Sequence, residues 1–304
     1  MGYLTAARSD DNLIKRGDGE SARIGAGSPE KEGIVSIITI SRGTFSGGKA
    51  LAECLAEHLG YQCISREVVL DAAAEYGVAP ESLLDAVAKP PSFWQRLSGE
   101  RIAYLNYFRS ALCERARKGN LVYHGYAGHL LLAGVRHVVR VRVIANMEYR
   151  IAAAMQQLNV GRSEAIGYIK KVDRERERWT RFLYDVDWHD PSLYDIVLNL
   201  EHTSLPTACN VIVGLVESAD FQPTAASVKA LEDLALSCRV WAALNRDPRT
   251  ATAEVKVAAD DGVVTVTGTA RVEEAIEAIP LVAGEVEGVK DVTNKVAVGS
   301  FFMR

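Results

Sequence analysis

A glycine-rich octet, Gly43-Thr44-Phe45-Ser46-Gly47-Gly48-Lys49-Ala50, is the sharpest chemical signal in the sequence. It follows a β-branched run, Ile34–Ile40, and precedes Ala50, Leu51, Leu55 and Leu59 at helical spacing. Glycines there let successive backbone N–H groups turn towards one anion, and the start of a helix adds a favourable dipole. Lys49 offers a mobile cation for outer phosphates. The octet fits G-x-x-x-x-G-K-[ST] except at its last place, where Ala50 lacks the hydroxyl that would hold magnesium. A bare glycine turn is the bland alternative. The strand-loop-helix context favours phosphate binding.

A second concentration of charge lies on one expected helix, Ser163–Asp185. Lys170, Lys171, Arg174, Arg176, Arg178 and Arg181 alternate there with Asp173, Glu175 and Glu177. One reading is a solvated helix laced by ion pairs. The other is a lid whose arginines close over a nucleotide and neutralise a transferring phosphoryl group. Arg174 and Arg178 share a face, with Arg181 near it, whereas Arg176 lies about 200° from Arg174.

The elements that must position these groups alternate along the chain. Strands are expected at 34–40, 61–64, 121–124, 138–144 and 196–199, with helices between them. Such alternation implies an α/β fold, a mostly parallel sheet covered by helices on both faces. Near residue 220 the pattern changes. Phe221–Ser227 reads as a linker, and a helix is expected from Val228 to Asn245. Alternating stretches on either side of Asp261-Gly262 then predict a hairpin. A helix over Val272–Val282 and a strand over Val292–Val298 complete a small α-β-β-α-β module. Residues 1–33, poor in large apolar groups, read as a tail.

Composition narrows the function classes. The chain has 304 residues, 48% hydrophobic and 24% charged, and a net charge of -4, which is ordinary globular composition with no global attraction to nucleic acid. The five cysteines form no C-x-x-C pair, so neither a zinc site nor a disulfide framework is expected. His124 and His129 have no metal-ligand spacing. No apolar run approaches a membrane span, and no secretory leader is expected, so the reading is cytoplasmic.

Ser41-Arg42 with Ser46-Gly47-Gly48 resembles the opening of the cytidylate kinase-like family of P-loop nucleoside monophosphate kinases. The resemblance continues in Ser65-Arg66-Glu67, Glu148-Tyr149-Arg150, Lys171-Val172-Asp173 and Arg176. It closes on Trp188-His189-Asp190-Pro191-Ser192-Leu193-Tyr194-Asp195, similar to a W-x-D-P-x-x-Y-D stretch. It implies a P-loop three-layer fold with a helical lid, and transfer of the ATP γ-phosphoryl group to CMP or dCMP with Mg2+. Carried over by position, Arg42, Gly43, Ser46, Gly47, Gly48, Lys49 and Ala50 form the donor cradle. Arg66 meets the acceptor phosphate, and Asp173 and Arg176 belong to the lid. The resemblance thus favours Arg176, whereas helix-face geometry groups Arg174 with Arg178, so Lys49, Arg66, Arg174 and Arg176 are all catalytic candidates, and Arg178 and Arg181 are further nucleotide-binding ones. The chain departs from the family at Gly125-Tyr126, where Gly-Arg is common, and at Ser65, where an acid is common.

Residues 235–304 resemble a BON domain through Asp261-Gly262-Val263-Val264-Thr265-Val266-Thr267-Gly268 and Val286–Asn294. Such domains imply binding of lipid or a small ligand. The expected organisation is a tail (1–33), a kinase-like domain (34–220), a linker and helix start (221–234) and a BON domain (235–304). Nucleotide substrates are the expected partners, without nucleic acid or a protein-held metal, and oligomerisation is left open. The reading is thus an ATP-dependent monophosphate kinase with a regulatory module. A nucleotide-binding regulator and an envelope-associated scaffold are the alternatives.

Overall fold

The computed structural model describes residues 36–65, 67–83, 100–125 and 127–299. Arg66, Tyr126, the expected tail and the end of the helix expected over Pro80–Ala88 lie outside the described residues. A five-stranded parallel sheet has the order β2-β3-β1-β4-β5. Its strands are β1 (Ile37–Arg42), β2 (Gln62–Ile64), β3 (Leu121–Tyr123), β4 (Val138–Ile144) and β5 (Ile196–Asn199). Around it run α1 (Gly48–Leu59), α2 (Glu67–Tyr76), α3 (Glu100–Arg117), the short α4 (Gly128–Leu131), α5 (Met147–Leu158), α6 (Arg162–Tyr184) and α7 (Leu205–Glu217).

Period-2 alternation divides the strands between two cores. Ile38, Ile40, Val139, Val141 and Val143 pack with Leu51 and Leu55 of α1 and with Ile212 and Val216 of α7. Ile37, Leu121, Tyr123 and Val138 face the other way, onto Val68 of α2 and Phe108 and Leu112 of α3. The chain leaves β1 towards β2 and β3 on one side and has β4 on the other. The crevice beyond the carboxyl end of β1 is therefore a topological switch point, the usual ligand position in an open α/β sheet.

Several boundaries follow directly from side chains. Asn146 accepts from the Tyr149 amide to cap α5, and Ser204 does the same from Thr207 to cap α7, where Pro206 fits the first turn. α5 and α6 form a hairpin with its own small core of Ile151, Ala154, Ala165 and Ile169.

The C-terminal sheet, β6 (Glu254–Asp260), β7 (Val263–Ala270) and β8 (Asp291–Val298), pairs β6 and β7 antiparallel and β7 and β8 parallel. Asp261 and Gly262 both take positive φ, 48° and 84°, which matches the expected hairpin turn. α9 (Glu273–Gly284) covers this sheet through Ala275, Ile279, Val282 and Ala283.

α8 (Ala225–Arg246) begins with a capping box between Thr224 and Ser227 and joins the two cores. Its Leu231, Ala235, Cys238 and Ala242 enter the core on α3, while Leu236, Val240 and Leu244 enter the core of the small sheet. Ion pairs reinforce the α3 contact: Glu114 with Arg239 at 2.6 Å, and Arg117 with Glu232 at 2.7 Å. The stretch read as a linker is tied down as well, because Ser227 Oγ hydrogen-bonds His137 Nδ1 at 2.9 Å.

Candidate nucleotide-binding site

The loop between β1 and α1 is bent for anion binding. Gly47 is the N-cap of α1, with φ 88°, and no side chain caps the helix. The first N–H groups of α1 thus keep their capacity for an external acceptor. A Cβ at Gly47 would meet Leu200 Cδ1 at 2.9 Å, and one at Gly48 would meet the Arg42 side chain at 2.8 Å. Ser46 Oγ donates into the scaffold, to Gly43 O at 2.9 Å and Val143 O at 3.2 Å, so it shapes the loop from below. Lys49 stands in the first turn of α1, a third exposed, with Glu53 3.9 Å away. Ala50 is exposed and brings no hydroxyl.

The α5–α6 hairpin lies on this loop. Asp173 Oδ1 accepts from Thr44 Oγ1 at 2.7 Å and from the Thr44 amide at 3.1 Å. Its Oδ2 accepts from Arg150 Nη2, and Arg150 Nε donates to Thr44 O at 2.7 Å. Burial pushes the Asp173 carboxyl up, but the Thr44 and Arg150 contacts outweigh it and leave it below the usual range. Phe45, at φ 60°, places its ring in the hairpin core, 5.9 Å from that of Tyr168.

Of the expected lid residues, the structure brings Asp173 and Arg176 to the loop and leaves the others outside. Arg176 Nη1 donates to Arg42 O at 3.0 Å, whereas Arg174, Arg178 and Arg181 are exposed. The helix-face alternative, which grouped Arg174 with Arg178, describes the solvent face of α6. Trp179 and Thr180 sit buried on the inner side and fix the helix rotation. Thr44 and Phe45 lie within the glycine-rich octet and Arg150 within Glu148-Tyr149-Arg150, but spacing gave none of the three a role.

Beside the loop lies a buried polar cluster built by the Trp188–Asp195 stretch. Arg142 of β4 is paired in register with Ser41 of β1. Its Nη1 donates to Ser41 Oγ at 3.2 Å, and its guanidinium lies 4.0 Å from the Trp188 ring centroid. Tyr194 Oη donates to Trp188 O at 2.8 Å, so Ser41 Oγ donates onward to Tyr194 Oη at 3.3 Å. Asp190 caps the Pro191–Leu193 turn, and Asp195 Oδ2 accepts from the Arg140 amide at 2.7 Å. Trp188 and Tyr194 are buried packing groups.

His124 and His129 are also buried, 7% and 5% exposed, and both rings are held neutral. Burial, with Arg42 and Lys49 nearby, pushes His124 down to about 3. Burial, with Arg142 and Arg140 nearby, does the same to His129, also to about 3. Both folded values lie below the unfolded one, so the unfolded chain binds these protons first. Stability is therefore full above about pH 6.5 and falls as the pH drops towards 3, by ~2 kcal/mol for each ring at pH 5. Chemical denaturation at pH 7 and pH 5 measures this. His129→Phe, which keeps a ring against Tyr194, is expected to remove about half of the loss.

A glycine loop after the middle strand of a parallel sheet, a lysine in the next helical turn and a basic helical hairpin over both define a P-loop nucleotide kinase scaffold. The chain belongs to the cytidylate kinase-like family, whose model matches residues 37–202. A BON domain model matches residues 232–300. The cytidylate kinase of Staphylothermus marinus is 24% identical over 185 residues, 60% of this chain and 97% of that protein. The cytidylate kinase of Pyrococcus horikoshii is 22% identical over 64% of this chain and 96% of that protein. Among solved structures, an uncharacterized protein from Eubacterium ventriosum ATCC 27560 is 24% identical, with a TM-score of 0.47 over 60% of this chain and 99% of its own.

Among the described residues no group of three His, Cys, Asp or Glu side chains could hold a metal ion, and no helix is long and apolar enough to cross a membrane. The residues present fit a donor polyphosphate through the α1 N-terminus, Lys49 and Arg176. They do not fit a protein-held Mg2+, because Ala50 lacks the usual hydroxyl ligand and Asp173, the carboxylate that reaches the loop from α6, is already engaged by Thr44 and Arg150.

Proposed function

We propose that the protein transfers the γ-phosphoryl group of ATP to CMP or dCMP, giving CDP or dCDP, with the BON domain as a regulatory or ligand-binding module. The observation that supports this best is the meeting of Lys49, the uncapped α1 N-terminus, Arg150, Asp173 and Arg176 at the end of β1. In this reading Gly43, Ser46, Gly47, Gly48 and Lys49 hold the donor phosphates, and Arg66 meets the acceptor phosphate. An acceptor phosphate oxygen forms a bond to the γ-phosphorus while the bond to the β,γ-bridging oxygen breaks, and ADP leaves with that electron pair. The acceptor is already anionic, so no side-chain base is needed. Positioning and cationic stabilisation carry the rate. We assign Mg2+ no ligand from this chain.

One observation favours a second reading, a nucleotide-binding regulator that transfers nothing. The Asp173 carboxylate occupies the Thr44 amide, so a phosphate must compete with it for that donor. ADP release from ATP with each of CMP, dCMP, UMP, AMP and GMP separates the two. The kinase reading expects turnover with a cytidine monophosphate above the others, and ATP binding without turnover on any acceptor would favour the regulator.

A further inference from the structure

Arg142 is a cation buried without a carboxylate. It is 5% exposed, and its contacts are to Ser41 Oγ, the Tyr194 hydroxyl and two aromatic faces. Asp173, the acid that acts on it from α6, spends its oxygens on Thr44 and Arg150. A charge withdrawn from water is costly unless an anion faces it, and stacking on Trp188 offsets only part of that cost. His129 lies at its side with both ring nitrogens buried and without a hydrogen-bond partner, its ring 4.7 Å from that of Tyr194. The charged groups that face Arg142 from neighbouring elements are Asp173 and Arg176 of α6, and Arg140 of its own strand acts with it on His129. A cation, an adjacent unpaired imidazole and a second arginine leave one requirement unmet, an oxyanion.

We propose that Arg142, with His129 beside it, is an oxyanion-binding residue of the acceptor half of the cleft, and that the oxyanion is the phosphate of the acceptor nucleotide. Strand parity assigns the half. Val141 and Val143 point to α1, the donor side, so Arg140 and Arg142 point to the face that carries α2 and α3. Arg142 is paired with Ser41 at the end of β1, so an anion on it lies at the carboxyl edge of the sheet, where the Gly47–Lys49 cradle also lies, and Arg176, which touches the loop, acts on the same guanidinium. The Trp188–Asp195 stretch then acts as a clamp that orients the guanidinium, since Trp188 and Tyr194 pack on Arg142 and Asp195 holds its strand. This assignment rests on the kinase reading for the identity of the nucleotide, but not for the existence of the oxyanion site.

The test is calorimetric titration of the full chain, wild type, Arg142→Met and Arg142→Lys, with CMP, cytidine, ATP and inorganic phosphate. The wild type is expected to prefer CMP over cytidine by about 30-fold or more, the worth of a charge-assisted phosphate contact. Arg142→Met should reduce that preference to within about 3-fold and leave ATP affinity within about 2-fold. Arg142→Lys should retain part of it, because the charge stays and the fork is lost. If the methionine variant shows no cooperative melt, the lysine variant carries the test, with an expected 5–10-fold loss. An unchanged preference in a folded variant overturns the proposal. If the wild type binds no monophosphate, a rise in its melting temperature with inorganic phosphate that Arg142→Met abolishes upholds the oxyanion site while the kinase reading fails. No rise in the wild type overturns the site as well.

Discussion

Lys49→Ala abolishes phosphoryl transfer, by about 10³-fold or more in kcat, and leaves the melting temperature within about 2 °C of wild type. The size of the first effect comes from where the charge develops. In the proposed reading a lysine in the first turn of α1 faces the outer phosphates, and losing a preorganised cation there is expected to remove about 4 kcal/mol of transition-state stabilisation. The smallness of the second comes from exposure. The Lys49 side chain is 36% exposed, and its ion pair with Glu53, 3.9 Å away on the same helix, is worth about a few tenths of a kcal/mol. Steady-state ADP release and a thermal melt on the same preparation check both halves. Unchanged turnover would remove the loop from the mechanism.

The second large effect concerns the BON module. Cutting the chain after residue 222 is expected to lower the melting temperature of the kinase half by about 10–20 °C or to make it insoluble, whereas cutting after residue 246 leaves a cooperative melt. The reason is α8. Leu231, Ala235, Cys238 and Ala242 are all 5% exposed or less and complete the core on α3. Burial of that face is worth ~4–6 kcal/mol, a large share of the 5–15 kcal/mol by which a domain is stable. Circular dichroism melts of the two truncations decide it. Equal stability of both would mean that α8 belongs to the BON domain alone.

That shared helix also shows where the sequence stops being legible. The β-branched run at Ile37–Ile40, the hairpin at Asp261-Gly262 and the order of strands and helices were readable because each is a local pattern. Phe221–Ser227 looked like a linker because Pro223, Thr224 and Ser227 are turn and cap residues. Their partners, a capping box and His137, sit elsewhere in the chain or in the helix that follows. α8 carries apolar residues on two faces, and a one-dimensional pattern does not say that two different cores take them.

The site divides in the same way. Gly43–Ala50 declared itself because a phosphate loop is contiguous. The choice between Arg176 and the Arg174–Arg178 pair could not be made from helical spacing, because the inner face of α6 is set by Trp179, which enters the core that α3 and α8 also fill, and by the buried Thr180. Val138-Val139-Arg140-Val141-Arg142-Val143 did hold a signal. Arginines alternating with valines in a buried strand put two cations on one face, which is unusual for a core strand. Only the approach of Trp188, Tyr194 and His129 shows what surrounds them.

The central claim is transfer of a phosphoryl group to a nucleoside monophosphate, and γ-labelled ATP tests it most directly. Wild-type protein and Lys49→Ala are incubated with labelled ATP and CMP, and the products are separated. The account predicts label in CDP with the wild type and none with the variant. Label confined to ATP or inorganic phosphate, with every monophosphate acceptor tried and ATP binding intact, would contradict it.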